Sequence, residues 1–202
     1  VILNLDEGEF LVKLARDSIK SYLRSRRLPT APANVPSKLS EKSGVFVTLK
    51  NAKEGMSLRG CIGYPYPNKP LVDATIESAI EAATNDPRFE PVSLRELDSE
   101  IVIEVSVLTP PVELSVNHPR EYPNRIIVGR HGLIVRRGIY QGLLLPQVAV
   151  EWRWDPEEFL SNCCLKAALP PDAWLERDTK IMIFEAKIFR ENSPNGPISM
   201  EP

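Results

Sequence analysis

The segment Ser57-Leu58-Arg59-Gly60-Cys61-Ile62-Gly63-Tyr64 restricts the fold more than any other stretch of this 202-residue chain. It reads as a strand in which Gly60 and Gly63 lack the Cβ that would hold a neighbour off. A second backbone, or a ligand, can therefore come close at those positions. Cys61, between the glycines and two residues from Arg59, is open to two readings. A thiol among peptide N–H groups and near a guanidinium is eased toward the reactive thiolate. A free cysteine is also among the most buried residue types and packs as a small hydrophobe.

The pattern around this segment sets the fold class. Residues 45–49 and 57–64 read as two strands of a hairpin, with Gly55 in the loop where a positive φ is needed. Before them, residues 6–27 carry Phe10, Leu11, Leu14, Ala15, Ile19, Tyr22 and Leu23 at helical spacing. Asp6 and Glu9 open that helix as an acidic capping box, and Pro29, Pro32 and Pro36 force an extended connector after it. A second helix follows Pro70, with Val72, Ile76, Ala79, Ile80 and Ala83 on one face. Asp73, Glu77 and Glu81 line another face, which reads as solvated rather than as a metal ladder. The helix breaks at Asn85-Asp86-Pro87, where the proline restricts Asp86 to extended geometry.

Residues 101–108 form a long central strand stopped by Pro110 and Pro111. Beyond residue 112 the texture shortens to strands at 125–128, 133–137 and 140–145, with turns at Gly129-Arg130-His131-Gly132 and Arg137-Gly138. Asp155-Pro156-Glu157-Glu158 is a strong helix start, followed by Phe159, Leu160, Cys163 and Ala167 on one face. Residues 180–190 read as a final strand and 191–202 as a polar tail without a core. Hairpin-joined strands with helices between them give an α+β fold, mainly antiparallel sheet flanked by helices. Two lobes with a cleft are expected, residues 1–112 plus 179–190 and residues 113–178.

A net charge of −2 disfavours nucleic acid as the main partner. The basic Lys20, Arg24, Arg26 and Arg27, with acidic Asp6, Glu7 and Glu9 at the other end, read as complements of a helix dipole. The basic end of that helix and Arg136-Arg137 are the patches through which nucleic acid would bind. No apolar run reaches the ~18 residues of a membrane span, and three cysteines fit a reducing, cytoplasmic setting. Zinc spacing, a phosphate-cradling loop and a dinucleotide fingerprint are all missing from the sequence, so no metal or cofactor is expected.

What remains for chemistry is Cys61 as a nucleophile with His131 as its base. Arg59 and Arg88 are candidate holders of a carboxylate or phosphate. Asp86 would orient one of these groups, and Gly60 and Gly63 would open the approach. The competing readings are these: His131 sits in a hairpin turn and caps a strand, and each arginine pairs with a nearby acid such as Asp86 to fix a loop.

Five stretches together resemble the AMMECR family: Leu58-Arg59-Gly60-Cys61-Ile62-Gly63, Asn85-Asp86-Pro87-Arg88-Phe89, Val107-Leu108-Thr109-Pro110-Pro111, Gly129-Arg130-His131-Gly132-Leu133 and Leu145-Pro146-Gln147-Val148-Ala149. The resemblance spans residues 5–190 and is to the archaeal-type, single-domain form. It implies a cleft and no agreed reaction, so a binder of a small anionic molecule or a cysteine-dependent enzyme acting on one is expected. A non-catalytic interaction module or a weakly nucleic-acid-binding regulator is the alternative. The family's association with Memo-type and radical-SAM proteins implies partners of those kinds.

Overall fold

The computed structural model describes residues 3–201, so Val1, Ile2 and Pro202, which the expected segments 1–112 and 191–202 include, lie outside the described residues. The chain divides into two compact units. Unit 1 runs to Leu108 and resumes at Lys187, while unit 2 is Thr109–Ala186.

Unit 1 contains α1 (Leu5–Ser25), β1 (Gly44–Asn51), β2 (Ser57–Tyr64), α2 (Leu71–Thr84), α3 (Leu94–Ser99) and β3 (Ile101–Leu108). In unit 2 lie β4 (Val112–Glu113), β5 (His131–Arg137), β6 (Tyr140–Leu144), α4 (Pro146–Glu151) and α5 (Pro156–Lys166). The long β7 (Lys180–Glu191) begins in unit 2 and ends in unit 1, where β8 (Ile198–Glu201) follows it. The fold is α+β, and β1 pairs antiparallel with β2 and β3, β5 with β6, and β7 with β4, β5 and β8.

In unit 1 the sheet order is β2-β1-β3-β7, which leaves β2 at the edge. Alternation along the strands sends Val45, Val47, Leu49, Ile101, Ile103, Val105 and Val107 into one core with Leu11, Val12, Ala15 and Ile19 of α1 and Leu71, Ala74 and Ala79 of α2. The capping box of α1 is Asn4 with Glu7 rather than Asp6 with Glu9. The asparagine side chain accepts from the Glu7 N–H and Glu7 reaches back to the Asn4 N–H. Gly55 takes the expected left-handed φ of 63°.

A buried ion pair pins α1 to this sheet. Arg16 donates to both carboxylate oxygens of Glu191 at 2.6 Å, and to the carbonyls of Leu97 and Ile101 at 2.7 and 2.6 Å. Glu191 in turn accepts the Ile103 N–H at 2.9 Å.

The expected coreless tail is corrected at β8. Asn195 adopts a φ of 57° and the Asn192 N–H bonds the Pro197 carbonyl at 2.8 Å. That turn carries β8 back against β7, where Ile198 packs on the unit 1 core.

Unit 2 builds its own core from Leu133, Val135 and Ile181 on the sheet and Phe159, Leu160, Cys163, Cys164 and Ala167 on α5. Asp155 and Glu158 form the anticipated capping box. Cys163 is buried as its spacing implies, and Cys164, expected beside that face, is buried as well. The expected strand at 125–128 is absent: Pro119–Arg125 is a 3-10 helix capped by the His118 imidazole. Ile127 spends its N–H on the His131 ring and its carbonyl on the Arg130 and His131 N–H groups, which makes a turn instead of a strand ladder. No helix among the described residues is long and apolar enough to cross a membrane.

Candidate functional site

Cys61 sits on edge strand β2, opposite Thr48 of β1, and Thr48 sits opposite Glu104 of β3. These three side chains share the sheet face turned away from the α1–α2 core, because Val47, Leu49, Ile103 and Val105 alternate with them into that core. The Thr48 hydroxyl lies 3.3 Å from the Cys61 sulfur. Glu104, with a side chain only 2% exposed, meets Lys50 Nζ at 3.3 Å and an Arg190 guanidinium nitrogen at 3.8 Å. Ser106, two residues along β3 on the same face, keeps a fully buried hydroxyl with no hydrogen-bond partner.

The edge of β2 at Cys61 is closed by side chains. Asp86 Oδ2 accepts the Cys61 N–H at 2.9 Å, and Arg88 Nη2 donates to the Cys61 carbonyl at 3.3 Å. Arg88 also grips both Asp86 oxygens, at 2.9 and 2.7 Å, while Asp86 Oδ1 accepts the Arg88 N–H at 3.1 Å. A carboxylate and a guanidinium thus offer one residue of β2 what a neighbouring strand would offer, an acceptor and a donor. Pro87 makes this possible by holding Asp86 extended. The Arg88 guanidinium pulls the Asp86 carboxyl down to about 2.

Gly60 and Gly63 are both close-approach positions. A Cβ on Gly60 would overlap the Ala82 carbonyl oxygen of α2, and one on Gly63 would overlap the Val45 carbonyl oxygen and Phe46. What approaches is the protein's own backbone.

Arg59 is the extra residue of a β-bulge: Leu49 pairs with Gly60, and Lys50 already pairs with Leu58. Bulges re-aim a side chain, and here Arg59 forks onto Glu96 of α3 at 2.6 and 3.2 Å. Arg59 and Arg88 both lie against Phe89, with guanidinium carbons 5.9 and 5.5 Å from the centre of its ring. Each nonetheless carries its own carboxylate. Arg59 is 17% exposed at the side chain and Arg88 47%, so Arg88 is the more open cation.

Burial pushes the Cys61 thiol above its ordinary value, and the carboxylates of Glu104 and Asp86 push the same way. The Thr48 hydroxyl and then Arg88 oppose the burial but do not overcome it.

His131 belongs to unit 2, whereas the other candidates belong to unit 1. It opens β5 as a buried residue, and its Nδ1 accepts the Ile127 N–H at 3.1 Å. That leaves the ring proton on Nε2, so in this tautomer no lone pair is free to act as a base. Burial also lowers its pKa. The geometry favours the turn-capping reading of this histidine.

Sequence reasoning passed over Thr48, Lys50, Glu104, Ser106 and Arg190. A signal was present for two of them: Glu104 and Ser106 interrupt a strand whose every residue is buried, and a polar side chain in such a strand is the informative exception. Among the described residues no group of three His, Cys, Asp or Glu side chains is placed to hold a metal ion.

The chain is 58% identical over 197 residues to Protein PF1979 of Pyrococcus furiosus, covering 96% of this chain and 93% of that one. It is 56% identical over 197 residues to Protein MK0488 of Methanopyrus kandleri, covering 97% and 94%. The crystal structure of the uncharacterized protein PH0010 from Pyrococcus horikoshii superposes with a TM-score of 0.96 at 54% identity, covering 99% of this chain and 98% of that one. The AMMECR1 family profile matches residues 12–189. The chain belongs to the AMMECR1 family.

Proposed function

We propose that this protein is a cysteine-dependent enzyme acting on a small anionic molecule, with Cys61 as its nucleophile and Arg88 as the cation that meets the anion. The observation that carries this reading is the row Cys61, Thr48 and Glu104 on three neighbouring strands. Burying polar groups costs stability unless they are well paired. A sheet built only to fold would have apolar side chains at Thr48, Glu104 and Ser106. Asp86 serves this site by fixing the Cys61 peptide, and Arg59 by supporting Phe89 against which Arg88 lies.

The second reading, a non-catalytic interaction module, draws on unit 2. Ile127, Val150 and Trp152 are exposed there at 52%, 54% and 67%, and apolar surface of this kind suits a protein partner. Memo-type or radical-SAM proteins are the partner classes that family resemblance suggests.

Alkylation with iodoacetamide, mapped by mass spectrometry, together with a thermal-shift screen of phosphate- and carboxylate-bearing metabolites, tests the enzyme reading. Cys61 is expected to label in the native chain, and a binding anion to raise the melting temperature. That rise should disappear in Arg88→Ala and persist in Cys61→Ser. A Cys61 that labels only in denaturant would rule the enzyme reading out.

A further inference from the structure

We propose that Glu104 is the proton acceptor for Cys61, reached through the hydroxyl of Thr48. The inference rests on the reading of Cys61 as a nucleophile and adds how that nucleophile is made. Cys61 and Thr48 are direct cross-strand partners, and so are Thr48 and Glu104. Directly opposed side chains have Cβ atoms about 4.5–5.5 Å apart, which puts one hydroxyl between a thiol and a carboxylate. The sulfur-to-hydroxyl separation is already 3.3 Å.

The step moves one proton at each end and no electrons. The S–H bond of Cys61 breaks and its proton passes to Thr48 Oγ1, while the proton Thr48 held passes to the Glu104 carboxylate. The products are a thiolate, an intact hydroxyl donating to sulfur in the direction the structure already shows, and a neutral carboxylic acid. A hydroxyl rotates to suit either state.

The surrounding charges favour the transfer in a defined way. Before it, Glu104 opposes a thiolate at Cys61; afterwards that negative charge is gone. Lys50 of β1 and Arg190 of β7 still face the carboxyl, and Asp86 and Arg88 still hold the Cys61 peptide. The unpartnered, fully buried hydroxyl of Ser106 on the same face is a second pointer to this site. A buried donor without a partner is expensive to keep, and this one lies two residues from Glu104 on β3, across from Phe46.

The test is the pH profile of Cys61 alkylation in the full chain, mapped to the residue, from about pH 5 to pH 10 around the free-thiol value. An internal proton acceptor gives a plateau at neutral pH, because forming the thiolate releases no proton to solvent. In Glu104→Gln and Thr48→Val the plateau should vanish, leaving a rate that climbs about tenfold per pH unit and is at least about tenfold slower at pH 7. Thr48→Ser should keep the plateau.

If Glu104 only repels the thiolate, Glu104→Gln will label as fast as the parent or faster, and that result overturns the inference while leaving Cys61 as the nucleophile. Should Glu104→Gln fail to give a cooperative melt, Thr48→Val against Thr48→Ser decides, and equal profiles overturn it. A parent chain in which Cys61 never labels natively sinks the nucleophile reading itself.

Discussion

Asp86 accepts from the Cys61 peptide and from three N–H groups of Arg88, so folding strongly favours its charged form. Its carboxyl titrates at about 2 in the fold against an ordinary 3.8. The resulting stabilisation, on the order of 2 kcal/mol, is fully present above the ordinary value and is lost as pH falls through the folded one. Urea unfolding at successive pH values should show the parent weakening across that acid window. Asp86→Asn should be less stable by about that amount at neutral pH and nearly flat across the same window. Unchanged neutral stability in Asp86→Asn would show that the clamp on Cys61 carries no energy. Of these residue-scale features, Cys61, Asp86 and Arg88 were legible as a group because glycine and proline mark their segments. Which atom holds which was not, since Asp86 meets Cys61 across 25 positions of sequence.

At the scale of elements, periodicity recovered α1, α2, α5 and the long strands because each buries one regular face, and passed over the six-residue α3. It missed features set by tertiary partners instead. The Arg59 bulge, the return of β8 and the 3-10 helix at Pro119–Arg125 all depend on what lies across a strand or turn. The Arg16–Glu191 pair is the extreme case, linking residues 175 positions apart. Arg16 stands among apolar positions on the buried face of α1, where helical spacing alone gives no hint of a partner. Breaking one half of a buried pair strands the other charge and costs about 3–5 kcal/mol. Glu191→Gln should therefore lower the urea midpoint sharply, whereas Arg16→Met combined with Glu191→Leu should recover much of the loss. A single variant within about 0.5 kcal/mol of the parent would show that α1 is held by apolar packing alone.

Across the whole molecule the three cysteines report on different events. Burial raises Cys163 to about 12 and Cys164 to about 11, and both lie in the unit 2 core. Their alkylation should wait for α5 to open and accelerate with added urea. Cys61 labelling should be insensitive to urea below the unfolding transition. Labelling of Cys163 ahead of Cys61 in native buffer would reverse this assignment.

The chain enters unit 2 at Thr109 and leaves it after Ala186. Near those crossings, the Thr109 N–H bonds the Glu185 carbonyl at 2.9 Å and its hydroxyl accepts the Glu185 N–H at 2.8 Å. The inserted segment therefore begins and ends at one place, like a loop grown from a single stitch. An insertion whose ends meet can lengthen, shrink or be exchanged over evolutionary time without moving the ends of its host. The unit that carries Cys61 and the unit that carries Trp152 can thus diverge at separate rates.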